Sequence, residues 1–298
     1  MFFGVLGQLL VDNGVEKCRI PAPKQRIILA ALIFGAGRVV SVDELADLVW
    51  NGAPPQSWRA AVHNYMARLR RSLGPAGPRL VTSSPGYLLE CDEAESDWRR
   101  FDTLARQSRS AAETGCWDSA AISLGAALAL WRGMPLADVP SEPLRREWVP
   151  TLTEQWLQLV EWRIESDLRL GRDQHLVIEL RRLATAYPLR ERFHSQLMLA
   201  LCRGGRQAEA LTVYRDARRL LVTELGIEPG PELRRIQRWV LDGEADLIST
   251  GLCTRSAPIP EFADAGPGRG LRAGAEHGLL QDSHSTTIAF SNRDIEAL

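Results

Sequence analysis

The pattern of apolar and polar residues changes twice along the 298-residue chain. Up to residue 93, short apolar runs alternate with isolated helical stripes. From 97 to 247, apolar residues recur at spacings of three and four, the pattern of amphipathic helices. From 249 to 298, Gly, Ser, Ala and Arg dominate with no sustained period, which predicts a flexible tail. The chain is therefore predicted to contain two folded domains, 1–93 and 97–247, and a tail.

The first segment predicts a sheet, three helices and a terminal hairpin. Apolar runs on both sides of Asn13-Gly14 predict a hairpin whose second strand is 15–20. Ser41 is expected to cap the second helix, with Glu44 completing a capping box. Predicted helices cover 24–36, 42–50 and 57–73, and strands 79–82 and 87–90 form the second hairpin. This order is that of a winged helix-turn-helix.

The second segment shows a repeat. Gly171 and Gly205 are 34 residues apart, which is the tetratricopeptide period. Ala217 and Pro229 then fall on the small-residue and proline positions of that repeat. A proline-rich stretch at 133–150 puts an earlier helix pair out of phase. The predicted fold class is mainly α: an α+β winged helix followed by an all-α tetratricopeptide-like domain.

Charge locates one basic region. The net charge of −1 argues against a nucleic-acid partner, but residues 53–89 contain no acid. DNA binding needs only a local basic face, because phosphate contacts release counterions. We therefore expect this region to bind double-stranded DNA, and expect its arginines to have no nearby acidic partner. They are Arg59, Arg68, Arg70, Arg71 and Arg79.

The third predicted helix carries the candidate DNA contacts. Val62, Met66 and Leu69 form its inward stripe, so the remaining residues point outward. Arginine can bind two acceptors of guanine, and asparagine two groups of adenine, in the major groove. The alternative is a solvated helix face without a ligand. We predict base contacts by Arg68, His63 and Asn64, phosphate contacts by Arg59, Arg70 and Arg71, and wing contacts by Arg79, Ser83 and Ser84.

Most of the nine tryptophans lie at helical apolar positions and are expected in cores. Trp148 lies in the proline-rich stretch and is a candidate partner contact, since exposed aromatic residues often anchor interfaces.

Other function classes find no support in the sequence. It contains no phosphate-binding loop, no His-Glu-x-x-His motif and no Gly-x-Ser-x-Gly elbow, so we expect no enzyme, catalytic residue or cofactor. The five cysteines are scattered and odd in number, which argues against disulfides or a metal site. No apolar run is long enough for a membrane span, and no secretory signal precedes the first strand. A cytoplasmic location is expected.

Several motifs match a known family. Residues 3–7, 62–71 and 85–87 resemble the OmpR-type winged helix, and residues 129–136 and 224–233 resemble the bacterial transcriptional activation domain. Over about residues 2–245 the chain resembles the Streptomyces antibiotic regulatory protein family, as a small member without the ATPase module.

The resemblance implies a nucleoid-associated activator. Such a protein binds direct repeats upstream of a promoter, as two protomers side by side, and recruits RNA polymerase holoenzyme to a secondary-metabolite gene cluster. Two departures are the arginine-free wing tip at Ser83-Ser84 and the absence of a preceding receiver domain, so control by aspartyl phosphorylation is not expected. Two alternatives stay open: a repressor with the same DNA contacts, and a helical-repeat adaptor whose winged helix contacts only proteins.

Overall fold

The structure is a computed structural model that describes residues 1–172 and 175–242; the predicted tail at 249–298 lies outside the described residues. Contacts divide the chain into two units. The first contains Met1–Phe101 together with Leu130–Thr153, and the second contains Asp102–Ala129 and the described residues from Glu154 onward. The proline-rich stretch therefore packs within the first unit.

The first unit has the predicted winged-helix order. A two-stranded antiparallel sheet pairs β1 with β2, and a three-stranded antiparallel sheet has the order β3-β5-β4. Its elements are β1 (Phe2–Gly4), β2 (Leu10–Asp12), α1 (Pro23–Phe34), β3 (Val40–Ser41), α2 (Val42–Trp50), α3 (Trp58–Ser72), a 3-10 segment (Gly74–Arg79), β4 (Leu80–Ser83) and β5 (Gly86–Leu89).

The Ser41 cap predicted for α2 is confirmed, but the other half of the predicted capping box is not, because the Glu44 carboxylate accepts from Arg38 Nη2 at 3.3 Å instead of from the Ser41 amide. Ser41 has extended backbone geometry, and its hydroxyl accepts from the Glu44 amide at 3.0 Å. This satisfies one of the backbone donors that every helix start leaves unpaired. The helix begins at Val42 and ends at Trp50, as predicted.

The prediction for the first hairpin was partly wrong. The turn between β1 and β2 lies at residues 5–9, and the second strand predicted at 15–20 does not form. Asn13-Gly14 does reverse the chain, because Lys17 bridges antiparallel to Asp12 and the Cys18 amide donates to Val11 O at 2.8 Å. The Asn13 carboxamide oxygen accepts from the amides of Val15 and Glu16 at 2.9 and 2.8 Å. This local side-chain bonding favours a turn over a strand, and Val15 is consequently solvent-exposed.

The prediction that Trp148 contacts a partner was also wrong. Its side chain is 5% exposed and stacks on Phe34, with ring centroids 3.9 Å apart. The Trp98 ring also contacts Trp148, in an edge-to-face arrangement with ring centroids 5.8 Å apart. A buried ring in an aromatic cluster contributes to the core and is unavailable to a partner.

The described residues that follow the winged helix are helical, and the first residues of α4 and of α6 belong to the first unit. The helices after the winged helix are α4 (Asp97–Glu113), α5 (Trp117–Leu128), α6 (Glu142–Arg169), α7 (Leu176–Ala186), α8 (Glu191–Arg203), α9 (Gln207–Leu225) and α10 (Pro231–Asp242). In the second unit α8 packs against α7, α9 and α10. None of the helices in the described ranges combines the length and apolarity that a bilayer crossing needs.

The predicted repeat is visible in the turns. Gly171 and Gly205 have φ of 69° and 71°, a left-handed conformation that favours glycine. In each turn the next amide closes the same hydrogen bond, from Arg172 to Asp167 O at 2.8 Å and from Arg206 to Leu201 O at 2.9 Å. The two glycines therefore occupy equivalent positions after α6 and α8.

Candidate nucleic-acid interface

Helix α3 presents three faces with different roles. Val62, Met66 and Leu69 are fully buried and hold the helix in the first unit. Asn64, Arg68 and Arg71 lie on the opposite side and are exposed. His63 and Arg70, two helical turns apart, form a third face. The sequence pattern predicts the buried face and does not separate the other two.

The exposed face carries donors that the protein leaves unsatisfied. Within the described residues, Asn64 and Arg68 have no side-chain hydrogen bond or ion pair. Arg71 makes one long contact, from Nε to Ala67 O at 3.5 Å, which is at the limit for a hydrogen bond. Asn64 and Arg68 can turn toward a ligand without breaking an internal interaction, and Arg71 gives up only this long contact.

The third face contacts the wing, the hairpin formed by β4 and β5. Arg70 donates from Nε to Leu80 O at 2.8 Å, and from Nη2 to the Thr82 hydroxyl at 2.8 Å. His63 Nδ1 and the Tyr87 hydroxyl are 2.5 Å apart and share a hydrogen bond. Burial raises the pKa of Tyr87, and the nearby Arg70 opposes this rise. Arg70, predicted as a phosphate contact, thus has internal partners that the sequence does not reveal.

Two of the arginines have acidic partners, contrary to prediction. Arg59 Nη2 lies 3.4 Å from Asp43 of α2, in an exposed pair, and its guanidinium stacks on Trp58. Arg79 forms a salt bridge with Glu95, which lies in a short 3-10 turn after β5. Both acids lie outside the acid-free stretch of sequence, and the fold brings them to it. Arg79 lies immediately before β4, at the base of the wing, and its guanidinium is held there by Glu95.

Glu95 collects three donors. Its hydrogen bond with Arg79 lowers the carboxyl pKa to about 2, with further contributions from the Asp92 amide and the N-terminal ammonium of Met1. Through Arg79, Glu95 holds the 3-10 segment that precedes the wing, and through the Met1 ammonium it holds the residue that precedes β1.

The Glu95 interaction predicts a specific acid sensitivity. Because the folded pKa lies below the ordinary 4.5, the carboxylate stabilises the fold above that pH and loses its effect as the pH falls toward about 2. Between about pH 5 and about pH 3, the free energy of unfolding in urea should fall less for Glu95→Gln than for the unchanged protein. Glu90→Gln, at an exposed glutamate, is the matched control. Equal pH dependence in all three would contradict the assignment.

The wing tip is polar and uncharged. Ser83 pairs with Gly86 at the last position of the β4–β5 register, and Ser84 and Pro85 are exposed beyond it. No lysine or arginine occurs from Leu80 to Leu89. The tip can donate and accept hydrogen bonds but supplies no cation.

Family comparisons agree with this architecture. Residues 20–89 match the family "Transcriptional regulatory protein, C terminal", and residues 96–241 match the family "Bacterial transcriptional activator domain". The solved structure of Mycobacterium tuberculosis EmbR in complex with a low-affinity phosphopeptide is similar, with a TM-score of 0.78 and 32% identity. The similarity covers 85% of this chain and 69% of EmbR.

Curated relatives extend the comparison. Regulatory protein AfsR of Streptomyces coelicolor is 41% identical over 85% of this chain, which spans about a quarter of AfsR. Regulatory protein DnrI of Streptomyces peucetius is 35% identical over 84% of this chain, and the match covers 96% of DnrI. The chain therefore belongs to the Streptomyces antibiotic regulatory protein family of transcriptional regulators, which joins an OmpR-type winged helix to a bacterial transcriptional activator domain.

Proposed function

We propose that this protein is a sequence-specific activator that binds direct repeats upstream of a promoter and recruits RNA polymerase holoenzyme. The observation that carries the proposal is the outer face of α3, where Asn64, Arg68 and Arg71 are exposed and none is held by an ion pair within the described residues. A helix with such a face fits the major groove of DNA.

Each residue has a proposed contact. Arg68 reads guanine, and Asn64 reads adenine one turn earlier. His63 can offer Nε2 to a base while Nδ1 stays with Tyr87. Arg71 and Arg59 hold phosphates, since the exposed Arg59–Asp43 pair is weak and can be exchanged for a DNA contact. Ser83 and Ser84 bond the DNA backbone from the wing.

Substitution of two arginines tests these assignments. Arg68→Ala should weaken binding to the cognate repeat by about 1 to 3 kcal/mol and relax specificity at one base position. Arg71→Ala should weaken binding to all sequences alike and lower the salt slope by about 1. Binding titrations on cognate and scrambled duplexes measure both. Equal loss on both duplexes for Arg68→Ala would remove the base contact from that residue.

Activation and its target rest on the second domain and the family. A bacterial transcriptional activator domain over residues 96–241 favours contact with the polymerase over simple blockage of a promoter. Membership of an antibiotic regulatory family favours a secondary-metabolite gene cluster as the target. Two protomers, one on each repeat, would form a homodimer on the DNA, in the cytoplasm where the nucleoid lies.

The activator and its two alternatives, a repressor and an adaptor, predict different outcomes in two successive assays. Footprinting on the DNA around the chain's own gene, followed by transcription with purified holoenzyme, separates them. An activator protects a direct repeat and raises transcript from the adjacent promoter. A repressor protects the same repeat and lowers the transcript, and an adaptor protects no DNA.

A further inference from the structure

The wing is attached to α3 by polar contacts as well as by core packing. The Arg70 guanidinium donates to two groups of β4, Leu80 O and the Thr82 hydroxyl. Its central carbon, Cζ, lies 5.8 Å from the centroid of the Tyr87 ring. Thr82 and Tyr87 face each other across the β4–β5 ladder. His63 binds the far end of that same tyrosine ring. The cross-strand pair is thus held by one face of α3, with Arg70 bound to Thr82 and His63 bound to Tyr87.

The backbone at Arg70 is held as closely as its side chain. A side chain at Gly77, in the 3-10 segment before the wing, would place its Cβ only 2.3 Å from Arg70 O. Only glycine allows this approach. The segment that leads into the wing is therefore pressed against the residue whose guanidinium holds the first wing strand.

These contacts compete with a contact to DNA. Nε and Nη2 of Arg70 are engaged by the Leu80 carbonyl and the Thr82 hydroxyl at 2.8 Å, so a phosphate could be held by this edge of the guanidinium only after both hydrogen bonds break, and otherwise only Nη1 is left to meet it. Arg71, the next residue, is exposed and has no comparable bonds. The two neighbouring arginines are chemically identical but differ in what they can reach.

We propose that Arg70 is a positioning residue: with the His63–Tyr87 contact, it fixes the wing relative to α3, so that Ser83 and Ser84 meet DNA while Arg68 reads the groove. The proposal rests on the proposed DNA-binding function and deepens it. It moves Arg70 from the set of phosphate contacts to the set of residues that shape the interface.

Lysine separates the two roles. A lysine can still neutralise a phosphate, but it lacks the fork that reaches Leu80 O and Thr82 together. Thr82→Val removes one acceptor without changing any charge. The matched control is Arg71→Lys, one position along the helix. All variants are made in the full chain.

The first measurement needs no DNA. Hydrogen exchange of the β4 and β5 amides should be about tenfold faster in Arg70→Lys, and faster to a smaller degree in Thr82→Val, than in Arg71→Lys, which should match the unchanged protein. Unchanged exchange in both wing variants would overturn the proposal, whether or not the protein binds DNA.

The second measurement uses a duplex carrying the protected repeat over a range of salt concentrations. Because the wing has no cation, its displacement should raise Kd about tenfold in Arg70→Lys while the slope of log K against log salt stays the same. Near-normal binding by Arg70→Lys, together with a slope reduced by about 0.9 in Arg70→Ala, would make Arg70 a phosphate contact and overturn the proposal. Absence of DNA binding by the unchanged protein would instead refute the proposed function and leave the exchange result to decide the role of Arg70.

Discussion

Trp148→Ala is expected to destabilise the winged-helix unit by about 3 to 5 kcal/mol, the usual cost of removing a large aromatic ring from a core. The ring is 5% exposed, stacks on Phe34 of α1 and contacts Trp98. Trp148 follows the winged helix by more than fifty residues, yet it completes the core of the unit that contains α1. The loss should therefore appear in α1, far away in sequence.

Hydrogen exchange of the α1 amides (Pro23–Phe34) measures this loss directly, because global unfolding of a two-unit chain need not be two-state. Trp148→Phe should recover part of the protection by keeping an aromatic ring. Trp239→Ala, at a half-buried tryptophan of α10, is the control and should leave α1 unchanged. Normal protection of α1 in Trp148→Ala would show that the Trp148 ring does not support the winged helix.

Arg132→Met is expected to cost about 3 kcal/mol, the low end for removing one partner of a buried ion pair, because Arg132 is one-third exposed. Its partner Asp97 is fully buried and accepts from the amides of Val5 and Leu6 at 2.9 and 3.0 Å. Arg132 lies 2.8 Å from the same carboxylate. Without the guanidinium, a buried negative charge keeps only its backbone donors.

The size of this effect should depend on charge. Burial raises the pKa of Asp97, and the backbone donors and Arg132 oppose that rise. Without Arg132 the pKa rises further, so acidification protonates the carboxyl and reduces the penalty. The free energy of unfolding in urea is measured through hydrogen exchange of the Val5 and Leu6 amides. The difference in this free energy between Arg132→Met and the unchanged protein should shrink as the pH falls from about 7 toward about 4. Asp97→Asn added to Arg132→Met should cost less than the two single changes summed; strict additivity would argue against the pair.

Local signals in the sequence predicted local structure well. The bounds of α2 follow from the Ser41 cap and an apolar stripe, both encoded within a few residues. The β4–β5 hairpin follows from turn residues between two apolar runs. The 34-residue spacing of Gly171 and Gly205 predicted equivalent turns, because a repeat displays its period in the sequence itself.

Long-range contacts could not be predicted in the same way. Nothing near Trp148 in the sequence indicates that Phe34 covers it, and nothing near Arg79 indicates Glu95. The absence of acids from 53–89 located the basic face, but a count along the chain ignores acids that the fold brings from elsewhere. Arg70 is bound to the wing by the backbone carbonyl of Leu80. Every residue has such a carbonyl, so the sequence does not indicate this contact.

The most direct test of sequence-specific DNA binding by α3 is selection of duplexes from a random library, with the unchanged protein and with Arg68→Ala in parallel. The unchanged protein should enrich a directly repeated motif, and Arg68→Ala should enrich the same motif with one base position in each repeat no longer fixed. Enrichment of no motif by the unchanged protein, or of an identical motif by both proteins, would contradict the role assigned to this helix.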